Sequence, residues 1–219
     1  MYRYETHFHT EEVSPCGKVK AEEGIRLYAE YGYDGVIVTD HFYNWKKDVY
    51  PRWKDYIDFF LQGYRAAKEA GEKYGIRVFL GAEIRFDEDP NDYVAFGFDE
   101  DYLYETENLM GMTLEKYNES VQDKSILIFQ AHPYRKNCEV RPKELLHGIE
   151  VFNGNARHNS SNEQAKKYAV DNRLLQLSGS DFHQIMDLAR GGIVTKTPCE
   201  DVHRLVEIIK ALNYELIEF

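Results

Sequence analysis

Histidines and carboxylates recur along this chain of 219 residues in short motifs whose spacing suits metal binding. The first motif is His-x-His, formed by His7 and His9. In an extended strand, residues two apart point to the same side, so the two imidazoles face one way. Asp181 and His183 repeat this spacing. Because imidazole and carboxylate together suit Zn, Mn or Fe, these motifs predict a site for divalent metal ions.

Further residues of the same types follow other predicted strands. Asp40 and His41 follow the second strand, Glu83 ends the third, and His132 follows a later one. A carboxylate such as Glu83 can bridge two ions, so a second metal is chemically reasonable. A single histidine at a strand end is usually structural, but five of the eight histidines at such ends favour a metal site. The others, which we interpret as structural or solvated, are His147, His158 and His203.

These residues need a scaffold that brings distant segments together. Short β-branched or aromatic runs predict strands at 2–7, 36–39, 78–83, 93–98, 126–131, 149–152, 174–178 and 192–194. Helical spacing predicts helices at 21–31, 53–74, 114–122, 163–171 and 201–212. This alternation predicts a TIM-barrel-like α/β fold in which strand carboxyl ends share one face. Eight βα units take about 250 residues, so we expect a compact or incomplete barrel; an open doubly wound sheet is the alternative.

Composition limits the class of partner. The chain is 43% apolar and its length suits one domain, with no visible linker or repeat. Its net charge of −11 disfavours nucleic acids and anionic membranes, and no apolar run reaches the roughly 20 residues of a bilayer span. Three widely spaced cysteines without a leader-like start indicate a reducing cytoplasm. We therefore expect a cytoplasmic protein with a small-molecule partner.

The motifs together resemble a known family. The segments ETHFHTEEVSPCG, GVIVTDHF, GAEIRF, QAHPYR, IEVFNG and SGSDFH occur in the order found in the PHP (polymerase and histidinol phosphatase) superfamily of metal-dependent phosphoesterases. The resemblance spans nearly the whole chain and implies a single PHP-like domain over residues 1–219, a distorted (β/α)7 barrel, and two or three divalent ions (Zn, Mn or Fe). It also implies the ligands of each ion: the first takes His7, His9, Glu83 and Asp181, the second Glu83 and His132, and the third His41 and His183.

The chain departs from the family pattern at two positions. Where many relatives place another histidine for the second metal, this chain has Asp92, which we assign as a ligand although it could equally open a strand. Where relatives supply a histidine or aspartate to the third metal, it offers Glu11, Glu12 and Cys16. Cys16 could bind as a thiolate, although a buried inert cysteine is the more common fate.

The resemblance implies hydrolysis of a small-molecule phosphate ester through a metal-activated water, in the manner of a histidinol phosphatase. Asp181 and His183 are the predicted catalytic residues for proton transfer. Arg157 and Arg190 are predicted to bind the substrate phosphate, with Arg135 a weaker candidate. The aromatic loop 42–53 could cover the site or pack on the following helix. A hydrolase of C–N or C–O bonds and a non-catalytic metal-binding module are the alternatives.

Overall fold

The computed structural model describes residues 1–122 and 124–219, and in them ten strands form one sheet. The strands are β1 (Tyr2–Phe8), β2 (Gly35–Val38), β3 (His41–Phe42), β4 (Arg77–Ile84), β5 (Tyr93–Phe96), β6 (Leu127–Gln130), β7 (Gly148–Asn153), β8 (Leu175–Gly179), β9 (Gly191–Thr195) and β10 (Tyr214–Glu218). Their order is β10-β9-β1-β2-β4-β5-β6-β7-β8, and β3 pairs with β4.

The sheet curves until its two ends nearly meet. Just after β8, the Phe182 N–H donates to the His7 carbonyl at 3.0 Å, and the His9 N–H donates to the Phe182 carbonyl at 3.0 Å. The chain leaving β8 therefore lies beside β1. This confirms the prediction of a distorted TIM-barrel-like α/β fold rather than an open doubly wound sheet.

Two strands run against the parallel pattern that the βα rhythm suggests. β5 is antiparallel to β4 and β6, and β9 is antiparallel to β1 and β10. No helix separates β4 from β5, and only antiparallel strands can be joined without a long crossover. The amino end of β5 consequently lies at the same edge as the carboxyl end of β4, as the pairing of Ile84 with Tyr93 shows.

Helices cover the outside of the sheet. They are α1 (Ala21–Glu30), α2 (Trp53–Tyr74), α3 (Glu100–Glu105), α4 (Leu114–Val121), α5 (Asn162–Asn172) and α6 (Val202–Lys210). The aromatic side chains of Tyr56, Phe59 and Phe60 on α2 are buried. The short α3 and the C-terminal β10 were not predicted, because six and five residues give little periodicity. None of the helices in residues 1–122 and 124–219 is both long and apolar enough to span a membrane.

Gly63 allows α2 to pack closely on the edge of the sheet where β1 and β2 end. A Cβ at Gly63 would lie 2.3 Å from the Asp40 Oδ2 and 2.3 Å from the Thr10 Oγ1. Those two side chains are hydrogen-bonded to each other at 2.7 Å. The helix thus packs directly on the loops that follow β1 and β2.

Candidate metal centre

All eight predicted ligands converge at one edge of the sheet. His7 lies near the carboxyl end of β1, His41 lies in β3 and Glu83 in β4. The remaining five lie in loops beside strand ends. Seven of the eight are buried, and the His41 side chain is 12% exposed. The complete set is His7, His9, His41, Glu83, Asp92, His132, Asp181 and His183.

The cluster contains three groups in which donor atoms lie within 4.8 Å of one another. These groups are His7, His9 and Asp181; Glu83, Asp92 and His132; and His9, His41 and His183. They correspond to the three metal positions implied by the family resemblance, although His9 joins two of them. The donor set of imidazoles and carboxylates fits divalent cations.

Glu83 lies at the centre of the cluster. Its Oε1 is 3.3 Å from the His7 Nε2 and 3.1 Å from the His132 Nε2. Its Oε2 is 3.5 Å from the His9 Nε2 and 2.6 Å from the His41 Nδ1. A carboxylate whose two oxygens face different histidines is placed to bridge two ions.

Buried nitrogens without partners support this interpretation. The His7 Nε2 and the His9 Nε2 have no hydrogen-bond partner among the described residues. The His7 Nδ1 instead lies 2.8 Å from the Glu150 Oε1, and the His9 Nδ1 lies 3.0 Å from the Ser14 Oγ. Because Ser14 already donates to Asp40 at 2.7 Å, its oxygen accepts from His9. In the neutral form of each ring the proton therefore lies on Nδ1, and Nε2 is the nitrogen that can offer a lone pair to a cation at the centre, as metal binding requires.

Glu150 is the main residue of the candidate site that the sequence did not predict. It lies fully buried in β7. It also accepts hydrogen bonds from the backbone N–H of His132 and from the side-chain amide of Asn153, each at 2.9 Å. It connects two of the candidate ligands, His7 and His132. A charged residue inside the buried strand GIEVFN was the sequence feature that could have revealed it.

Two candidate ligands have unusual backbone conformations. His132 has φ of 31° and Asp181 has φ of 50°, both in the left-handed region that non-glycine residues seldom adopt. Each residue lies two positions beyond the end of a strand, at the turn into a loop. Such strain is retained where the surroundings hold a side chain in a required position, and it often marks functional sites.

The charges of the cluster are strongly coupled. Burial alone would lower the pKa of His7, but Glu150, Asp181 and Glu83 raise it well above its usual value. Burial would raise the pKa of Asp181, but His7, His183 and His9 hold it well below its usual value. For His9, burial and the neighbouring His183 and His41 lower the pKa. The Asp181 carboxylate is thus held ionised in a confined site that attracts positive charge.

Asp92 reaches the site from the amino end of the antiparallel β5. Its Oδ2 is 3.9 Å from the His132 Nε2. Arg85 contacts both of its carboxylate oxygens at 2.8 Å, and the Tyr43 hydroxyl donates to it at 2.9 Å. The carboxylate therefore belongs to the cluster geometrically while sharing its charge with Arg85.

A cavity of about 320 Å³ opens onto the cluster. Three arginines line it, namely Arg85, Arg135 and Arg157. Arg190 does not line this cavity and instead lines a neighbouring one with Phe219, so its predicted contact with substrate stays a prediction. His158, which we interpreted as structural or solvated, lies on the wall of the cavity.

The loop after β3 packs on the following helix, and one of its residues also lines the cavity. The ring of Tyr43 stacks on His41 with centroids 4.4 Å apart, at the cavity wall. Trp53 instead packs against Phe42 and Tyr56, and its indole N–H donates to the Leu103 carbonyl at 2.8 Å. Most of the loop's aromatic surface thus belongs to the packing around α2.

Several solved structures have a similar fold. The structure is similar to a two-domain protein from Bacteroides vulgatus that contains a predicted PHP-like metal-dependent phosphoesterase (TM-score 0.72, 18% identity, 99% of this chain and 64% of that one). It also resembles an inferred metal-dependent phosphoesterase from Bifidobacterium adolescentis, with a TM-score of 0.56 and 16% identity over 94% of this chain and 95% of that one. A third similar structure is an amidohydrolase from Chromobacterium violaceum with bound sulfate and no metal. Its TM-score is 0.56, and it is 15% identical over 94% of this chain and 96% of that one.

Identities this low establish the fold alone, and the chain spans 64% of the length of the Bacteroides vulgatus protein. A sequence comparison with curated proteins found no significant match. The model of the PHP domain family, however, matches residues 5–211. That match includes every candidate ligand described above. The chain therefore belongs to the PHP domain family.

Proposed function

We propose that this protein is a metal-dependent phosphoesterase that hydrolyses a small-molecule phosphate ester. The observation that carries the proposal is that one cavity is lined both by histidines and carboxylates that could hold metal ions and by three arginines. Guanidinium groups bind phosphate oxygens in pairs, so the arginines suit an anionic substrate. The cavity volume of about 320 Å³ suits a small molecule.

Each arginine is oriented by a carboxylate. Arg135 Nη2 lies 2.8 Å from Asp181, and Arg157 Nη2 lies 2.9 Å from Asp187. Arg85 is paired with Asp92 as described above. A guanidinium has five N–H donors, so each arginine keeps donors for a substrate after making its carboxylate contact. We assign Arg157, already predicted from sequence, and Arg135 and Arg85 to phosphate binding.

Divalent ions held by the cluster, of the Zn, Mn or Fe type, would supply Lewis-acid charge and an activated water. Asp181 and His183 remain the proposed catalytic residues for proton transfer. Because the pKa of Asp181 is held well below its usual value, its carboxylate is ionised and carries no proton to donate. His183 donates from its Nδ1 to the Asp181 carbonyl at 2.9 Å, and its Nε2 can exchange a proton only while no cation occupies that atom.

The test is phosphate release by purified protein that is stripped of metal and reloaded separately with Zn²⁺, Mn²⁺ and Fe²⁺. We expect turnover of an aryl phosphate or of members of a metabolite phosphate panel. Arg157→Ala should raise KM about tenfold or more through loss of charge-assisted hydrogen bonds, whereas the exposed Arg204→Ala should not. Absence of phosphate release with all three metals would refute the proposal.

Hydrolysis of a C–N or C–O bond is the second candidate. It is favoured by the similarity to the Chromobacterium violaceum structure, which is described as an amidohydrolase. The same reloaded protein should then cleave amides or lactones without releasing phosphate. The sulfate in that structure and the arginines here lead us to place phosphate esters first.

A further inference from the structure

Cys16 lies between two histidines of the third donor group. Its Sγ is 3.0 Å from the His41 Nε2 and 3.0 Å from the His183 Nε2. The sequence left two interpretations, an inert buried cysteine and a thiolate ligand. A thiol placed between two imidazole nitrogens is in a polar environment, which disfavours the first interpretation.

Both histidines present the same ring nitrogen, Nε2, to the Cys16 sulfur. The His183 Nδ1 faces the Asp181 carbonyl at 2.9 Å, so the proton of the neutral ring lies there and Nε2 has a lone pair. The His41 Nδ1 lies 2.6 Å from the Glu83 Oε2, where a lone pair would repel the carboxylate. In the neutral rings two Nε2 lone pairs therefore face the sulfur, and a cation that binds here displaces any proton that these nitrogens carry. A cation among the three atoms would be attracted by all of them.

The loop that carries Cys16 is held firmly in place. The Gly17 N–H donates to the Ser14 carbonyl at 3.0 Å, and the Lys18 N–H donates to the His183 carbonyl at 2.8 Å. A Cβ at Gly17 would lie 2.5 Å from the Thr10 carbonyl oxygen, so the turn requires glycine. The backbone hydrogen bond from Lys18 to His183 holds the loop that carries Cys16 beside the loop that carries His183.

His9 gives independent support for a cation here. It is fully buried, its Nε2 has no partner among the described residues, and its ring lies 4.2 Å from the ring of His183. His9, His41 and His183 each offer a donor atom within 4.8 Å of the others. Bond lengths of about 2.3 Å to sulfur and 2.0 Å to nitrogen space tetrahedral ligands roughly 3.5 Å apart. The sulfur–nitrogen separations of 3.0 Å are close to that value.

We propose that Cys16 binds a divalent cation as a thiolate, together with His41 and His183. The inference rests on the metal centre of the proposed function but not on phosphate ester hydrolysis. Since thiolate is a softer ligand than carboxylate or water, this position would select Zn²⁺, Fe²⁺ or Co²⁺ over Mn²⁺ and Mg²⁺. Occupation of the position would also make His183 a ligand and leave proton transfer to Asp181.

Cobalt substitution tests the proposal without reference to catalysis. The full-length protein is stripped of metal and titrated with Co²⁺, and the near-ultraviolet thiolate-to-cobalt charge-transfer band is recorded. We expect the band in the native protein and in Cys138→Ser, which removes another partly buried thiol, and its loss in Cys16→Ser. In Cys16→Asp, the preference of this position for Co²⁺ over Mn²⁺ should fall at least about tenfold.

A band that persists in Cys16→Ser, or native protein that binds cobalt without the band, would overturn the proposal. Should Cys16→Ser fail to fold, zinc X-ray absorption of Cys138→Ser decides the question, because one sulfur neighbour at about 2.3 Å is expected and its absence would refute thiolate binding. The band without phosphate release would refute only the phosphoesterase function. Phosphate release without the band would refute only the role of Cys16.

Discussion

Glu150→Gln is the substitution that most directly tests how the metal centre is organised. In the structure Glu150 makes no direct contact with a candidate metal position, yet both of its oxygens contact residues that hold one. Its Oε1 faces the His7 Nδ1 at 2.8 Å, and its Oε2 accepts the His132 N–H and the Asn153 amide, each at 2.9 Å. All three contacts require an acceptor at position 150.

Glutamine has nearly the same shape but only one acceptor oxygen. If that oxygen faces the two donors from His132 and Asn153, the amide NH₂ faces the His7 Nδ1. His7 must then move its proton to Nε2, which removes the lone pair that faces the centre. In the opposite orientation the NH₂ faces two N–H groups. We expect metal affinity to fall about 10- to 100-fold, equivalent to about 1.4–2.7 kcal/mol.

The measurement is isothermal titration of the metal-free protein with Zn²⁺, alongside phosphate release at saturating metal. Glu144→Gln is the matched control, because Glu144 is exposed and precedes the amino end of β7, whereas the cluster lies at the opposite edge of the sheet, where β1 and β4 end. Circular dichroism establishes that both variants fold. Zinc affinity within twofold of native in folded Glu150→Gln would show that the tautomer of His7 does not depend on this carboxylate.

Three further outcomes are expected. Ser14→Ala, which removes the acceptor for the His9 Nδ1, should weaken zinc binding about tenfold in the same titration, whereas the exposed Ser120→Ala should not. Zinc at about 100 times its Kd should add about 2.7 kcal/mol of stability and raise Tm by about 5–10 °C, and a chelator should reverse the shift in scanning calorimetry. Burial lowers the pKa values of His41 and His183, but nearby carboxylates and the Cys16 thiol raise them to about 9 and about 10. Both rings therefore carry displaceable protons at neutral pH, so zinc affinity should fall as the pH falls below about 9, with proton release measurable in buffers of different ionisation enthalpy.

The position of the candidate ligands could be predicted because it follows from strand ends. His7, Glu83 and His132 are each placed by a short β-branched or aromatic run, and local periodicity is enough to find such runs. The carboxyl ends of parallel strands then bring them together. The spacing of His-x-His needs only the two-residue period of a strand. These inferences use properties that neighbouring residues express locally.

The residues that support the ligands could not be predicted in this way. Glu150 contacts His7 from far away in the chain, and Ser14 contacts His9 across a loop. A lone serine or glutamate has no periodicity that would reveal such a contact. The locations of Arg135, Arg157 and Arg190 depend on loop paths, which have many solutions for one sequence. The sequence therefore ranked Arg135 below Arg190, although Arg135 lines the cavity and Arg190 does not.

The position of Asp92 depends both on its place in the local sequence and on the long-range arrangement of the sheet. Because it precedes its strand, a parallel β5 would carry it to the far edge of the sheet, and only the antiparallel direction of β5 brings it to Glu83 and His132. An aspartate where relatives place a neutral histidine also adds a negative charge. Arg85 contacts both of its oxygens at 2.8 Å and cancels that charge locally. The pair thus presents an oxygen donor with the net charge of an imidazole, so this position can serve a divalent cation without the excess charge that aspartate alone would bring.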